Sequence, residues 1–266
     1  DDEARDHFPR IYVLDNVDPH TVRDLLAHID IRRTLFNVVS KSGSTAETMA
    51  LYLVLEGLLI DEVGPEKARG HLLFTTDPSE GPLRAIAEGE GIPSLAIPPR
   101  VGGRFSVLSP VGLLPAAVAG IDVAALLAGA ARADDRCRTA VLRENPAGLM
   151  ATLLHTAHNE LGASIHVMMP YSNRLWSFSA WFQQIWAESL GKAHDLDGNT
   201  VHTGPTPLPA LGVTDQHAQV QLFMEGPRDK VVMFVAITGH AEAGGVVDLE
   251  IAGHRSGMES VGYLAG

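Results

Sequence analysis

Four hydroxyl residues, Ser40, Ser42, Ser44 and Thr45, surround one lysine, Lys41, in the stretch FNVVSKSGSTAETM from Phe36 to Met49. An apolar run of strand character ends at Val39, and a helix-like pattern begins at Ala46. Ser44 followed by Glu47 has the capping-box spacing, and Gly43 permits a tight loop. A helix N-terminus ringed by hydroxyls binds phosphate through free N–H donors and the helix dipole. The Walker pattern is not present in this loop, so a nucleoside triphosphate with Mg²⁺ is not implied. An ordinary capped helix is the alternative reading.

Three other residues sit where chemistry is possible. Glu188 lies near the end of an amphipathic helical pattern, just before Gly191. A carboxylate there becomes a useful base when partial burial lifts its pKa. The alternative is a solvated glutamate paired with Lys192. His217 follows Thr214, a plausible helix cap, so it falls in a first turn where the dipole disfavours imidazolium. A neutral ring there can exchange a proton near neutrality, or simply bond a loop carbonyl. Arg104 follows Gly102 and Gly103, which let the backbone approach a ligand closely. It reads equally as a structural arginine tied to loop carbonyls. His155 and His158 share a helix face but lack a third metal ligand, Cys137 lacks a partner histidine, and Trp176, Trp181 and Trp186 read as packing.

The elements that must position these residues alternate. Strands are expected at Arg10–Leu14, Thr34–Val39, His71–Thr75 and Pro93–Ile97, with helices at Val22–Ile29, Ala46–Val63 and Leu83–Glu90. Val111–Ala133 is apolar but interrupted by Pro115, Gly120 and Asp122, and reads as buried helices, not a membrane span. The charged stretch Arg132–Asn145 suits an exposed connecting helix. The alternation then restarts: helix Gly148–Leu161, strand Ser164–Pro170, helix Arg174–Leu190, a Gly/Pro-rich loop Thr203–Gly212, helix Asp215–Glu225 and strand Lys230–Ile237. Strands separated by helices point to an α/β fold, a three-layer αβα sandwich on parallel sheets. The expected organisation is a first domain over 1–131, a connecting helix or linker over 132–147, and a second domain over 148–266.

The chain has 266 residues, 45% of them hydrophobic, enough for a sizeable core. Its 20 basic and 32 acidic residues give a net charge of −12, which repels nucleic acid and anionic membrane. One cysteine, Cys137, allows no intrachain disulfide and fits a cytoplasmic setting. The acidic N-terminal stretch lacks the features of a signal peptide.

Four stretches in register resemble the glucose-6-phosphate isomerase family, a group built of sugar isomerase (SIS) domains. SKSGSTAET resembles its phosphate loop, VGGRFSVLSPVG its G-G-R-[FY]-S signature, and WFQQIWAESLGK its bacterial E-S-x-G-K segment. GVTDQHAQVQLFMEGP resembles its D-x-H-S helix, with Ala218 in place of the serine. The resemblance implies an aldose–ketose isomerase, with a non-catalytic sugar-phosphate-binding module or a dual phosphoglucose/phosphomannose isomerase as alternatives. It implies Ser40, Lys41, Ser42 and Thr45 as phosphate ligands, Glu188 as the proton-transferring base, His217 as the ring-opening group and Arg104 as the stabiliser of the enediolate. It further implies a homodimer, no cofactor and no metal, with the partner chain able to contribute a histidine. The family's G-I-G-G-S loop should precede residue 1 and its catalytic lysine should follow residue 266, so an internal fragment truncated at both ends is expected.

Overall fold

The computed structural model describes residues 7–237, in which helix α1 (Pro19–His28) starts on its own signals. The Asp18 carboxylate accepts from His20 N–H, and a proline takes the first helical position. There follow β1 (Phe36–Ser40), α2 (Ala46–Val63), α3 (Pro65–Ala68), β2 (Leu72–Thr76), α4 (Pro82–Glu90), β3 (Ser94–Ala96), α5 (Pro110–Val118), α6 (Val123–Cys137) and α7 (Pro146–Asn159). The chain divides into two units, residues 1–156 and 157–266, the boundary falling within α7.

The first unit carries a parallel sheet in the order β1-β2-β3. Register runs from Phe36 beside Leu72 to Ser40 beside Thr76, and Thr76 lies beside Ala96. All three strands therefore end in line at one edge. Val38, Tyr52, Leu59, Phe74, Leu83 and Ile92 form the centre of the core. Burying each such side chain contributes roughly 1.5–3 kcal/mol. Tyr52 packs edge-on against Phe74 at 5.4 Å between ring centres, and its hydroxyl donates to Glu56 at 2.5 Å. Burial, then that bond, pushes the phenol pKa up.

The second unit contains β4 (Ile165–Pro170), α8 (Trp176–Leu190), β5 (Lys192–His194), β6 (Thr200–Thr203), β7 (Thr206–Pro209), α9 (Thr214–Glu225) and β8 (Lys230–Val235). Its parallel sheet has the order β7-β4-β8, and β5 and β6 form an antiparallel hairpin. Val167, Met169 and Ala210 are its buried centre. The α/β expectation with parallel sheets therefore holds in each unit.

Several local expectations do not hold. Residues 10–14 form no strand: Ile11, Tyr12 and Val13 are exposed, and the segment has no partner strand among the described residues to complete its hydrogen bonds. The helices read as buried between Val111 and Ala133 carry no buried side chain. The charged connection is a helix only as far as Cys137, with a short 3₁₀ turn later at Leu142–Glu144. The loop read at Thr203–Gly212 contains β7, whose prolines suit an edge strand. The β5–β6 hairpin is not among the expected elements, although Asp197-Gly198 is its turn signal and Gly198 has φ +87°. Within α8, Ser179 and Phe182 are the buried residues; Trp186 stacks on Phe182 and the more exposed Trp181 packs against Phe178 at 5.5 Å between ring centres, while Trp176 is exposed. Among the described residues no helix is long and apolar enough to cross a membrane.

His166 on β4 is 1% exposed, and its Nδ1 accepts from the Trp186 indole N–H at 2.9 Å. The neutral ring therefore carries its proton on Nε2. Burial first, then the neighbouring His158, pushes its pKa below 6.5, against a smaller opposing effect of the Ala163 backbone. The folded state thus resists protonation that the unfolded chain accepts. Stability should be fully present above about pH 6.5 and be lost as pH falls toward the depressed folded value. Urea unfolding of wild type and His166→Asn at about pH 7.5 and pH 5.5 checks this. Wild type should lose more of its midpoint on acidification than the variant; equal losses would show that His166 does not govern the change.

Candidate active site

Ser40 closes β1 and is 5% exposed. Its Oγ accepts from Gly43 N–H at 3.1 Å and shares a hydrogen bond with Thr45 Oγ1 at 2.9 Å. Ser42 Oγ accepts from the N–H and the hydroxyl of Ser44, at 3.2 and 3.1 Å. Two glycines make this tight loop possible. Gly43 has φ +67°, and a Cβ there would lie 2.9 Å from Leu83 N. Gly81 has φ +97°, and a Cβ there would lie 2.3 Å from the Ser42 carbonyl oxygen. The loop after β1 therefore packs backbone to backbone on the turn that starts α4.

The expected capping box is not formed. Thr45, not Ser44, holds the N-cap position of α2, and it makes no side-chain cap bond. The reason is local: the Thr45 hydroxyl is engaged by Ser40, and that of Ser44 by Ser42. The first-turn N–H groups of α2 are thus left without an acceptor from the cap, an arrangement that suits an anion.

Lys41 reaches away from this loop. Its Nζ donates to the carbonyl oxygens of Pro99 and Val101, both at 2.6 Å, and its own carbonyl accepts from Asp77 N–H at 3.3 Å. The Asp77 carboxyl is held below its ordinary range, first by the Ser79 N–H and in smallest part by the Lys41 charge. Arg104 lies in a 3₁₀ turn, Gly103–Leu108, with its guanidinium 4.8 Å from the centre of the Phe105 ring. Ser106 Oγ donates to Gly103 O at 2.6 Å and Phe105 N–H to Gly102 O at 3.0 Å, which fixes that turn. Within the first unit, then, the hydroxyl loop and the backbone leading to Arg104 are joined through Lys41.

In the second unit Glu188 is exposed near the end of α8, where Gln184 donates to its Oε1 at 3.0 Å. Among the described residues it is exposed, where partial burial was expected. α8 ends at Gly191, and a Cβ on Gly204 would lie 3.0 Å from Gly191 Cα. Gly204 precedes β7, so the Glu188 end of α8 lies at the edge where β7 begins. His217 is exposed in the first turn of α9, after β7 has ended. Thr214 is not the cap; Val213 occupies that position, and the Asp215 carboxylate accepts from Leu211 N–H at 2.7 Å. Gln216 Nε2 donates to the Tyr171 hydroxyl at 2.5 Å, anchoring this helix start to the residue after β4. Glu188 and His217 of one chain therefore sit toward opposite edges of the β7-β4-β8 sheet. Sequence reasoning missed the Gln216–Tyr171 anchor, the two-carbonyl grip of Lys41 and the role of Gly81, for which Gly81-Pro82 before a helix was the available sign.

Among the described residues no group of three or more His, Cys, Asp or Glu side chains is arranged to hold a metal. The phosphoglucose isomerase family model matches residues 2–248. The chain is 49% identical over 229 residues to glucose-6-phosphate isomerase of Carboxydothermus hydrogenoformans, covering 86% of this chain and 49% of that protein. It is 50% identical over 257 residues to a glucose-6-phosphate isomerase of Thermus thermophilus, covering 97% of this chain and 59% of that protein. Among solved structures, a hypothetical protein of Thermus thermophilus superposes with a TM-score of 0.80 at 46% identity, over 96% of this chain and 58% of that one. A glucose-6-phosphate isomerase of Chlamydia trachomatis gives 0.74 at 30% identity, over 82% and 42%. These neighbours agree with the sugar-isomerase type of α/β sandwich expected from the sequence. The chain spans about half to three-fifths of the length of the curated relatives it matches. With the match running through the hydroxyl loop, the G-G-R turn, Glu188 and His217, this chain belongs to the phosphoglucose isomerase family.

Proposed function

We propose that the full-length protein interconverts glucose 6-phosphate and fructose 6-phosphate through ring opening and a cis-enediol(ate). The observation that carries this reading is the half-site of the first unit, where a hydroxyl loop with uncapped helix N–H groups is tied to the backbone leading to Arg104. The two units are proposed as two sugar isomerase domains. Ser42, Thr45 and the N–H groups at the start of α2 hold the phosphate, with Ser40 fixing Thr45 from beneath. His217 moves the proton that opens the pyranose ring. The Glu188 carboxylate takes the proton from C2, the electron pair flows into the C1 carbonyl, and Arg104 stabilises the charge that develops on oxygen. Glu188 then returns the proton to C1 while the O2 hydroxyl proton passes to O1, so that the C2 carbonyl forms and no redox cofactor is required.

The opposite placement of Glu188 and His217 on one chain supports a homodimer, in which His217 of a second copy completes the site around Glu188. Such a twofold arrangement builds two identical sites. The second copy would also cover Glu188, as a general base needs. One cysteine and a net charge of −12 fit a cytoplasmic enzyme of small anionic sugars, with no nucleic acid or membrane partner.

Two outcomes are expected in the full-length protein. Ser42→Ala with Thr45→Ala should weaken sugar-phosphate binding by roughly 1.5–3 kcal/mol for each hydrogen bond lost to the charged group. Calorimetry with glucose 6-phosphate checks this, and unchanged affinity would remove the loop from the site. Glu188→Gln and His217→Ala should each lower turnover by about 10²–10⁴-fold. Mixed and reassembled, the two variants should regain about a quarter of wild-type turnover, because half of the dimers then hold one intact site. Full loss in both variants with no recovery in demonstrated hybrid dimers would mean that both residues serve from one chain.

A further inference from the structure

We infer that Lys41 is a positioning residue for Arg104: its ammonium straps the loop after β3 to the loop after β1 and does not hold the substrate phosphate. This rests on the isomerase reading above. The resemblance assigned Lys41 to the phosphate, but the geometry points elsewhere. An ammonium has three donors, and two are engaged by the carbonyl oxygens of Pro99 and Val101 at 2.6 Å. Those two oxygens flank a turn that Val101 N–H closes onto Pro98 O at 3.0 Å. The chain then runs directly through Gly102 and Gly103 to Arg104. Ser106 and Phe105 hold the turn itself through the carbonyls of Gly103 and Gly102, and the strap from Lys41 ties the chain entering that turn back to the loop after β1.

The same residue gathers the loop after the remaining strand. Its carbonyl accepts the N–H of Asp77, the residue after β2. Lys41 itself follows β1, and Pro99 and Val101 follow β3. One residue thus links the loops that follow all three parallel strands, at the edge where open α/β sheets take their ligands. Phosphate does not need this ammonium, since the hydroxyls of Ser42 and Thr45 and the uncapped N–H groups of α2 already face that task. Transition-state stabilisation does need a fixed guanidinium, because a displacement of about 1 Å costs about 10²-fold in rate.

The test uses the full-length protein with Lys41→Met, Lys41→Gln, Arg104→Lys and the Lys41→Met/Arg104→Lys double variant. Turnover, KM for glucose 6-phosphate and inhibition by inorganic phosphate are measured for each. Lys41→Met should lower turnover roughly 10- to 100-fold while the inhibition constant of phosphate stays within about twofold. Lys41→Gln, which keeps a donor for the carbonyls without the charge, should recover part of the turnover. The double variant should be little slower than Arg104→Lys alone, since both changes remove one function. Amide hydrogen exchange at Val101 and Phe105 should accelerate in Lys41→Met, a readout independent of activity.

A rise of about tenfold or more in the phosphate inhibition constant, with turnover kept, would overturn the inference and return Lys41 to the phosphate. So would losses that multiply in the double variant, or amide exchange left unchanged. Should Lys41→Met not fold, Lys41→Gln is measured in the same ways, and the same results support or overturn the inference. Failure of the underlying reading looks different: wild type without isomerase activity, or Ser42→Ala/Thr45→Ala with unaltered phosphate inhibition, would sink the phosphate-loop assignment whatever Lys41 does.

Discussion

Three short parallel strands that end in line impose one condition on the first unit. The loops following Ser40, Thr76 and Ala96 must share a single edge, and their polar backbone must be satisfied there. Lys41 meets this condition with its carbonyl on one side and its ammonium on the other. Gly43 and Gly81 let the same loop lie against the start of α4. Beneath it, Phe74, Tyr52 and Leu83 form a core that fixes where β2, α2 and α4 stand. The core thus sets the strand ends, the strand ends bring the loops together, and the loops form the edge at which we propose the phosphate binds, with the turn that carries Arg104 tied to it.

The second unit follows the same logic with a different outcome. α8 begins after the end of β4, runs 15 residues, and spans roughly 22 Å. That length carries Glu188 away from the strand ends and delivers it next to the β5–β6 hairpin and the start of β7. His217, in the first turn of α9, stays at the other end. A helix packed along a parallel sheet makes this separation unavoidable. The proposal of a second copy completing each site is a consequence of it.

Much of this is legible in the sequence because the buried strands are apolar runs and α2 is bounded by sharp signals. The α2 limits, Ala46 and Val63, can be read directly, and β1, β2 and β4 lie within a residue or two of their expected bounds. Arg10–Leu14 misleads because β-branched and aromatic residues mark a strand only when a neighbour pairs with it. The caps mislead because Ser44 and Thr45 have competing hydroxyl partners, Ser42 and Ser40, that spacing does not reveal. Lys41 stands out among the hydroxyls of its loop, but its partners lie 58 and 60 residues away along the chain, and local pattern carries no trace of such contacts.

The central claim is that the full-length protein moves one proton between adjacent carbons of a sugar phosphate held at this edge. Supplying the wild-type protein with glucose 6-phosphate deuterated at C2, in ordinary water, tests it most directly. The account predicts fructose 6-phosphate with part of the label at C1 by NMR, the remainder having exchanged to solvent from the carboxylate in the enediolate stage. Formation of no fructose 6-phosphate, or of a product that still carries its label at the original carbon, would contradict it.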